Sequence, residues 1–414
     1  MIRTGVALSA ALLFLAGALP AAATSPSVIL GFVDGTTGLN TDGVYHTITV
    51  LDNIPAGTWW VTATAVLSAT TAVSPTGDTT CRIRTGTDTT EDEATFDLLG
   101  GSSGGAQESL LLTTRHGEGT GWNASFDCKS NSTGEVDISN IRISAVNGLI
   151  SGSGSPRLAF SGSDGSVNLP ANAFQTVRTM SLGAGKWWIL AKADLANNSS
   201  TSANNVTCKL TLSSTDKDKT AQSFNATTEQ GHESEAVVEV GHVFSSAGTV
   251  ALKCGNGSQA ATASHPRLAA IKAGKLTRKA FGGSSSTSGS GTPVVITGYR
   301  SSSVAINTTD TIVGSLALPA GKWLVSAKAW LHDGSNAQVF CNLLLDTAEG
   351  DENLPSYGGP AGGNTGLYLQ GAVDSATGLS AQLDCEASTT GTSFTYVRIT
   401  AISASSLLIA QLAT

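Results

Sequence analysis

Three stretches of the chain repeat one phrase: Ala56-Gly57-Thr58-Trp59-Trp60, Ala184-Gly185-Lys186-Trp187-Trp188 and Ala320-Gly321-Lys322-Trp323-Leu324. Each is followed by two cysteines at nearly constant spacing, 47 residues from Cys81 to Cys128, 46 from Cys208 to Cys254 and 44 from Cys341 to Cys385. A chain written this way folds as three copies of one unit of about 120 residues, an ordinary domain size. Six cysteines allow about 15 pairings. A duplicated unit brings its own partner along, so one bridge is expected inside each copy.

Within a copy the apolar period is two, the signature of a strand with one buried face. The tryptophan segments read Trp59, Val61, Ala63, Ala65, Leu67, then Trp187, Ile189, Ala191, Ala193, Leu195, then Trp323, Val325, Ala327, Ala329, Leu331. The alternate positions Thr62, Thr64, Lys192, Ser326 and Lys328 are polar and are expected to face water. Both cysteines of each copy fall on the apolar phase, as in Val206-Cys208-Leu210 and Leu383-Cys385. Buried bridges follow, and inward cysteines far apart in sequence suit a staple from one sheet to the other. Each copy closes on a strand: Ile141–Val146, Pro266–Ile271 and Val397–Ile402. No helical period appears after the first 23 residues. The expected fold is all-β, three tandem jelly-roll-like β-sandwich modules with one internal disulfide each. A parallel β-helix also repeats, but its coils are far shorter than 120 residues.

The N-terminus has one early charge at Arg3, an apolar run from Val6 to Leu19 and the small-residue ending Ala21-Ala22-Ala23. That pattern predicts a secretory signal peptide over 1–23. No later segment reaches the roughly 20 apolar residues of a membrane span, so a secreted, extracellular or cell-surface protein is expected. The modules are placed at 27–150, 157–277 and 293–408. A short linker at 151–156 separates the first two, and a Gly/Ser-rich linker at 278–292 separates the last two. Gly282–Gly291 reads as flexible coil, which would let the third module swing.

The strand Ala320–Ala329, the module length and the closing run Phe394-Thr395-Tyr396-Val397-Arg398-Ile399 resemble the opening and closing strands of jelly-roll modules related to C1q and tumour necrosis factor, including bacterial surface proteins. The resemblance covers two strands per module. The paired cysteines have no general equivalent in that family, and the closing aromatics occur only in the third module. It implies binding or adhesion, often as trimers, with three modules in one chain either replacing that assembly or forming a pseudo-trimer by intramolecular packing.

The candidate surface residues are Trp60, Trp188 and Trp330, which fall opposite the core phase, where an exposed tryptophan stacks on sugar rings or anchors a partner. Acids follow the first cysteine strand of every copy: Asp88, Glu91, Asp92, Glu93 and Asp97, then Asp216 and Asp218, then Asp346, Glu349, Asp351 and Glu352. Calcium is conceivable there, but no copy has the spacing of a calcium loop, so no cofactor or metal is expected. Arg142, Arg267 and Arg398 recur 14, 13 and 13 residues after the second cysteine on the polar phase, which suits an ion pair with a nearby carboxylate. Histidines 46, 116, 232, 242, 265 and 332 occupy unrelated positions and read as structural. The Gly101-Ser102-Ser103-Gly104-Gly105 match to a nucleophile elbow lacks the strand-to-helix context that elbow needs.

The net charge is −8 and only 13% of residues are charged. Without a basic cluster, nucleic acid is not an expected partner. No catalytic residues are assigned. The leading expectation is a non-enzymatic surface, adhesive or ligand-binding array, its ligand an extracellular molecule or glycan. A structural or self-assembling envelope component and an accessory protein or enzyme of carbohydrate processing are the alternatives.

Overall fold

The computed structural model describes residues 27–69, 78–86, 91–97, 107–132, 134–148, 158–198, 204–224, 233–255, 257–283, 285–333, 338–345, 348–353 and 363–413. For residues 97, 107, 233, 333 and 348–353 only the backbone is described. The signal-peptide segment, the 151–156 linker, the Gly101–Gly105 motif, and Asp88, His232 and Asp346 lie outside the described residues.

The chain is all-β, with no helix among the described residues. The first module holds β1 (Ser27–Val33), β2 (Thr37–Gly38), β3 (His46–Ile54), β4 (Gly57–Ala69), β5 (Asp78–Thr85), β6 (Asp92–Asp97), β7 (Gln107–Glu118), β8 (Trp122–Ser130) and β9 (Val136–Asn147). The second holds β10 (Leu158–Gly162), β11 (Val167–Leu169), β12 (Phe174–Leu182), β13 (Gly185–Asn197), β14 (Asn204–Leu212), β15 (Thr215–Phe224), β16 (Glu233–Phe244), β17 (Gly248–Gly255) and β18 (Ala261–Ala273). After β19 (Lys275–Ala280) and β20 (Ser285–Ser288), the third holds β21 (Val294–Arg300), β22 (Val304–Ile306), β23 (Thr311–Leu318), β24 (Gly321–Asp333), β25 (Val339–Leu345), β26 (Ala348–Asn353), β27 (Gly363–Ser375), β28 (Leu379–Ala387) and β29 (Thr392–Ala404), and β30 (Ser406–Gln411) follows.

In each module one sheet has the order β1-β9-β4-β7, or its counterpart, and the other has β3-β8-β5-β6. The chain crosses between the two sheets at almost every step, which is the winding of a jelly roll. A separate apolar core fills each sandwich.

The repeated Ala-Gly-x-Trp phrase has a local cause. Gly57, Gly185 and Gly321 open their strands at φ 141°, 140° and 145°, a region that side-chain-bearing residues rarely enter. Two residues on, the indole nitrogens of Trp59, Trp187 and Trp323 donate to the carbonyls of Pro55, Gly183 and Pro319 at 2.8, 3.0 and 3.0 Å. The signature is therefore a strand-opening device buried in each core.

The disulfides are Cys81–Cys128, Cys208–Cys254 and Cys341–Cys385, all buried, with Cα atoms 4.1 Å apart. Their placement corrects the expected inter-sheet staple. Each joins directly opposed residues of neighbouring strands in one sheet, β5 to β8 and their counterparts. The inward phase is common to both arrangements, so alternation alone does not separate them.

A second correction concerns the polar phase. Thr62, Thr64, Lys192, Ser326 and Lys328, expected in water, are buried. The β1-β9-β4-β7 sheet and its counterparts turn their outer faces towards one another around a fourth apolar cluster, which includes Trp60, Leu111, Trp188, Val237, Leu324 and Tyr368. Sheets covered on both sides carry apolar residues in both phases. The consecutive Trp187-Trp188-Ile189-Leu190 run is one such sequence.

The chain also laces its modules together. β19 leaves the second module and pairs in parallel with β21 of the third, while β30 leaves the third and pairs in parallel with β1 of the first. The 278–292 linker holds the end of β19, and its Gly282–Gly291 stretch, expected as flexible coil, holds all of β20, which pairs back on β19. The third module is thus tied to the second through a shared sheet.

Candidate functional site

The closing strands β9, β18 and β29 each break register with their tryptophan strands at one point, between Thr64 and Val66, Lys192 and Asp194, and Lys328 and Trp330. At these bulges Asn140, His265 and Tyr396 take φ of 51°, 43° and 49°. Two residues later come Arg142, Arg267 and Arg398. Bulges re-aim side chains, and in the second and third modules the arginine reaches a carboxylate of the preceding module.

At the junction of the first and second modules, Asp92 on β6 is fully buried. Lys192 Nζ lies 3.1 Å from it, and Arg267 Nε makes an ionic contact at 3.0 Å. The Thr113 amide donates to Asp92 Oδ2 at 2.7 Å. Lys192 also meets Glu235 at 2.8 Å and Asp194 at 3.5 Å. Burial works against its charge, but Asp194, Asp92 and Glu235 outweigh that and hold its pKa above the usual lysine value. Burial pushes Asp92 and Glu235 up, with Lys192 opposing.

The junction of the second and third modules repeats the design. Asp218, at the same register on β15 as Asp92 on β6, meets Lys328 at 3.0 Å and Arg398 at 2.8 Å and accepts the Glu239 amide at 2.9 Å. Here burial prevails, and the Lys328 pKa falls. Glu239, itself buried, accepts from Ser326 at 3.1 Å and Thr400 at 3.0 Å, and burial raises its pKa to about 7.

The junction of the third and first modules differs. Thr64 stands where the others carry lysine, Arg142 pairs with Asp34 of its own module at 2.6 Å, and Thr62 donates to Gln370 at 3.0 Å. The register equivalent of Asp92 is Asp351, opposite Leu343.

The expected surface tryptophans are placed by the same geometry. Trp60 and Trp188 are 0% and 1% exposed, and their rings pack edge to face 5.1 Å apart across the first junction. They form the central core, which corrects the surface assignment. Burying each ring, about 150–250 Å² of surface, contributes about 4–6 kcal/mol, and the pair adds roughly 0.5–1.5 kcal/mol. Trp330 is half-buried, stacks on Tyr396 at 5.7 Å and donates to Asn364 Oδ1 at 2.8 Å, while the Asn364 amide donates to Ser223 of the second module at 2.9 Å.

The acids read as a possible calcium loop are engaged otherwise. Glu91 accepts from Thr114 at 2.5 Å and lies 2.8 Å from His116 Nδ1, Glu93 accepts from Tyr45 at 3.0 Å, and Asp216 pairs with Lys209 at 3.1 Å. Among the described residues no group of three or more His, Cys, Asp or Glu side chains is arranged to hold a metal.

Thr85, His116 and Glu91 come closest to a reactive set. Thr85 Oγ1 and Glu91 Oε1 both approach the same ring nitrogen, Nδ1, at 2.7 and 2.8 Å, and Thr85 is fully buried. A nucleophile–base–orienter relay uses both ring nitrogens, one for each neighbour. Here Thr85 donates directly to Glu91, and the His116 ring lies 4.4 Å from that of Trp122.

No protein-family model and no curated protein matches the chain. Among solved structures, the triple jelly-roll turret protein of an archaeal virus aligns over 92% of both chains at 10% identity, with a TM-score of 0.19. The T=1 particle protein of infectious bursal virus aligns over 92% of this chain and 78% of its own at 8% identity, with a TM-score of 0.21. The glycosylasparaginase PNGase F of Flavobacterium meningosepticum covers 64% of this chain and 95% of its own at 9% identity and a TM-score of 0.21. Superpositions this loose transfer neither fold nor function, and the jelly-roll assignment rests on strand order.

Proposed function

We propose that this is a secreted, non-enzymatic surface protein whose three jelly rolls work as one block, displaying their outer sheets to an envelope or glycan partner. The observation that carries this reading is the pair of buried Lys-Arg-Asp clusters, which spend Lys192, Arg267, Lys328 and Arg398 on joining modules and leave the three outer sheets as the available faces. Three buried disulfides suit an oxidising, extracellular setting. Among the described residues no helix is long and apolar enough to cross a membrane. The swing expected of the third module gives way, in this reading, to presentation by a fixed body.

The test is a screen of the secreted protein against glycans and cell-envelope polymers, with product analysis of every ligand retained. Retention without turnover supports the proposal. Cleavage of a polysaccharide by the pure protein, or no retention on any envelope polymer, overturns it.

A further inference from the structure

The three outer sheets occupy the same place in the fold but carry different charge. One cross-strand row, next to the disulfide, shows this most directly. In the first module it reads Glu93, Arg82, Asp127, Thr47. It is neutralised within itself, since Arg82 meets Asp127 at 3.2 Å and Thr47 donates to Asp127 at 2.9 Å.

In the second module the same row reads Lys219, Lys209, Lys253, Thr176. Three lysines stand directly opposite one another on neighbouring strands, an arrangement that destabilises a sheet unless something offsets it. Asp216 lies 3.1 Å from Lys209 and 3.7 Å from Lys219, and Lys253 has no carboxylate partner among the described residues. Lys209 also covers the Phe174 ring at 3.8 Å, giving the face an apolar floor.

The third module reverses the sign. Its outer strands β23, β25, β26 and β28 contain no Lys or Arg. Asp384 stands between Asn342 and Ile312, and Glu386 stands opposite Phe340. Ile312 and Phe340 are 52% and 36% exposed, so apolar side chains flank the carboxylates. Asp384 Oδ1 has no hydrogen-bond partner among the described residues. Burial and the charges of Asp310 and Glu386 raise the Asp384 pKa, the mark of an acid without a cation.

We propose that the lysine face of the second module docks on the acidic face of the third module of another copy, so that the protein assembles head to tail. Among the described residues no ion pair joins the two faces within one molecule. A contact between two unlike faces is heterologous and propagates into a ring or filament according to the rotation it imposes. This inference rests on the one-block reading and names a second copy as the partner of two of its faces.

The experiment is sedimentation of the intact protein over a concentration series at low and high salt. Association that weakens as salt rises is expected, because exposed charges are screened. Lys209→Ser/Lys253→Ser and Asp384→Asn/Glu386→Gln should each weaken self-association by about tenfold or more. Each retains one good face, so an equimolar mixture should form 1:1 dimers that grow no further. Circular dichroism and intact disulfides confirm that the variants fold. A wild-type protein that stays monomeric at low salt overturns the proposal, as does association unchanged in either variant. Retention on a polyanion through Lys209 and Lys253 without self-association assigns the lysine face to an acidic polymer and overturns it as well. Envelope retention is read separately, so a monomeric protein that binds envelope defeats only this inference.

Discussion

The two lysine-bearing junctions and the one that closes the ring solve the same packing problem by different means. Between the first and second modules, and between the second and third, a buried aspartate receives a lysine and an arginine from its neighbour. Between the third and first, strand β30 lies along β1 and neutral groups such as Thr62 and Gln370 meet. A buried ion cluster tolerates few alternative arrangements, because any slip leaves a charge unpaired. A strand pairing is extensive and individually forgiving. Charge thus joins two of the three module pairs, and strand β30 joins the third.

The two ionic junctions differ in redundancy. Among the described residues Lys192 has Glu235 and Asp194 besides Asp92 in ion-pair contact, whereas Lys328 contacts Asp218, feels Glu239 only at longer range, and otherwise meets backbone carbonyls, Lys219 at 2.6 Å and Tyr396 at 3.4 Å. Asp218→Ala should therefore have the largest effect, costing about 3–5 kcal/mol by leaving buried cations unpaired. Asp92→Ala should cost less, and denaturant unfolding of the pair checks the ranking. Equal losses would mean that Glu235 and Asp194 do not share the charge of Lys192.

Glu239 gives the second ionic junction a pH dependence. Its pKa is about 7 in the folded chain against an ordinary 4.5. The folded state therefore keeps a proton that the unfolded chain releases between those values. Its contribution is favourable below the unfolded pKa and is lost as pH rises through 7. The difference corresponds to about 3 kcal/mol. Glu239→Gln, neutral at every pH, should stabilise the protein at pH 8 by that order and flatten the slope between pH 5 and 8 in thermal unfolding.

Removing β30 by ending the chain at Ala404 should have a smaller effect, about 2 kcal/mol from lost strand pairing and Leu407 packing. Hydrogen exchange should quicken in β1 while β19 and β21 stay protected. Uniform quickening across all three modules would show that the ionic junctions depend on the strand closure. Thr62→Val should cost no more than this, about 1–2 kcal/mol for its two neutral hydrogen bonds, to Gln370 and Ser144, again by denaturant unfolding.

Much of the fold is legible in sequence because its causes are local. Period-two alternation, the glycine that opens each tryptophan strand and the spacing of the cysteines all report on one module. What lies between modules is harder to read. A lysine at position 192 or 328 on the polar phase looks the same whether it meets water or an aspartate of another module 100 residues away. Trp60 and Trp188 look like surface anchors for the same reason. The signal was nevertheless present. Arg142, Arg267 and Arg398 recur at one register, and apolar residues such as Leu190 and Leu324 interrupt the polar phase, which a sheet open to water on one side does not require. The expected staple between sheets fails on a narrower point, since inward cysteines fit equally well on adjacent strands of one sheet. The opposite charges of the second and third outer sheets become legible only when register aligns Lys209 with Asn342 and Lys253 with Asp384.

The pairing of β30 with β1 has a consequence for biogenesis. During synthesis the strands of the first jelly roll are made well before β30, so the outer hydrogen-bonding groups of β1 wait for a partner that follows all three modules. Until then that rim is a template for any extended peptide nearby. A product in which β30 is missing or not yet paired is therefore more adhesive than one in which it lies along β1.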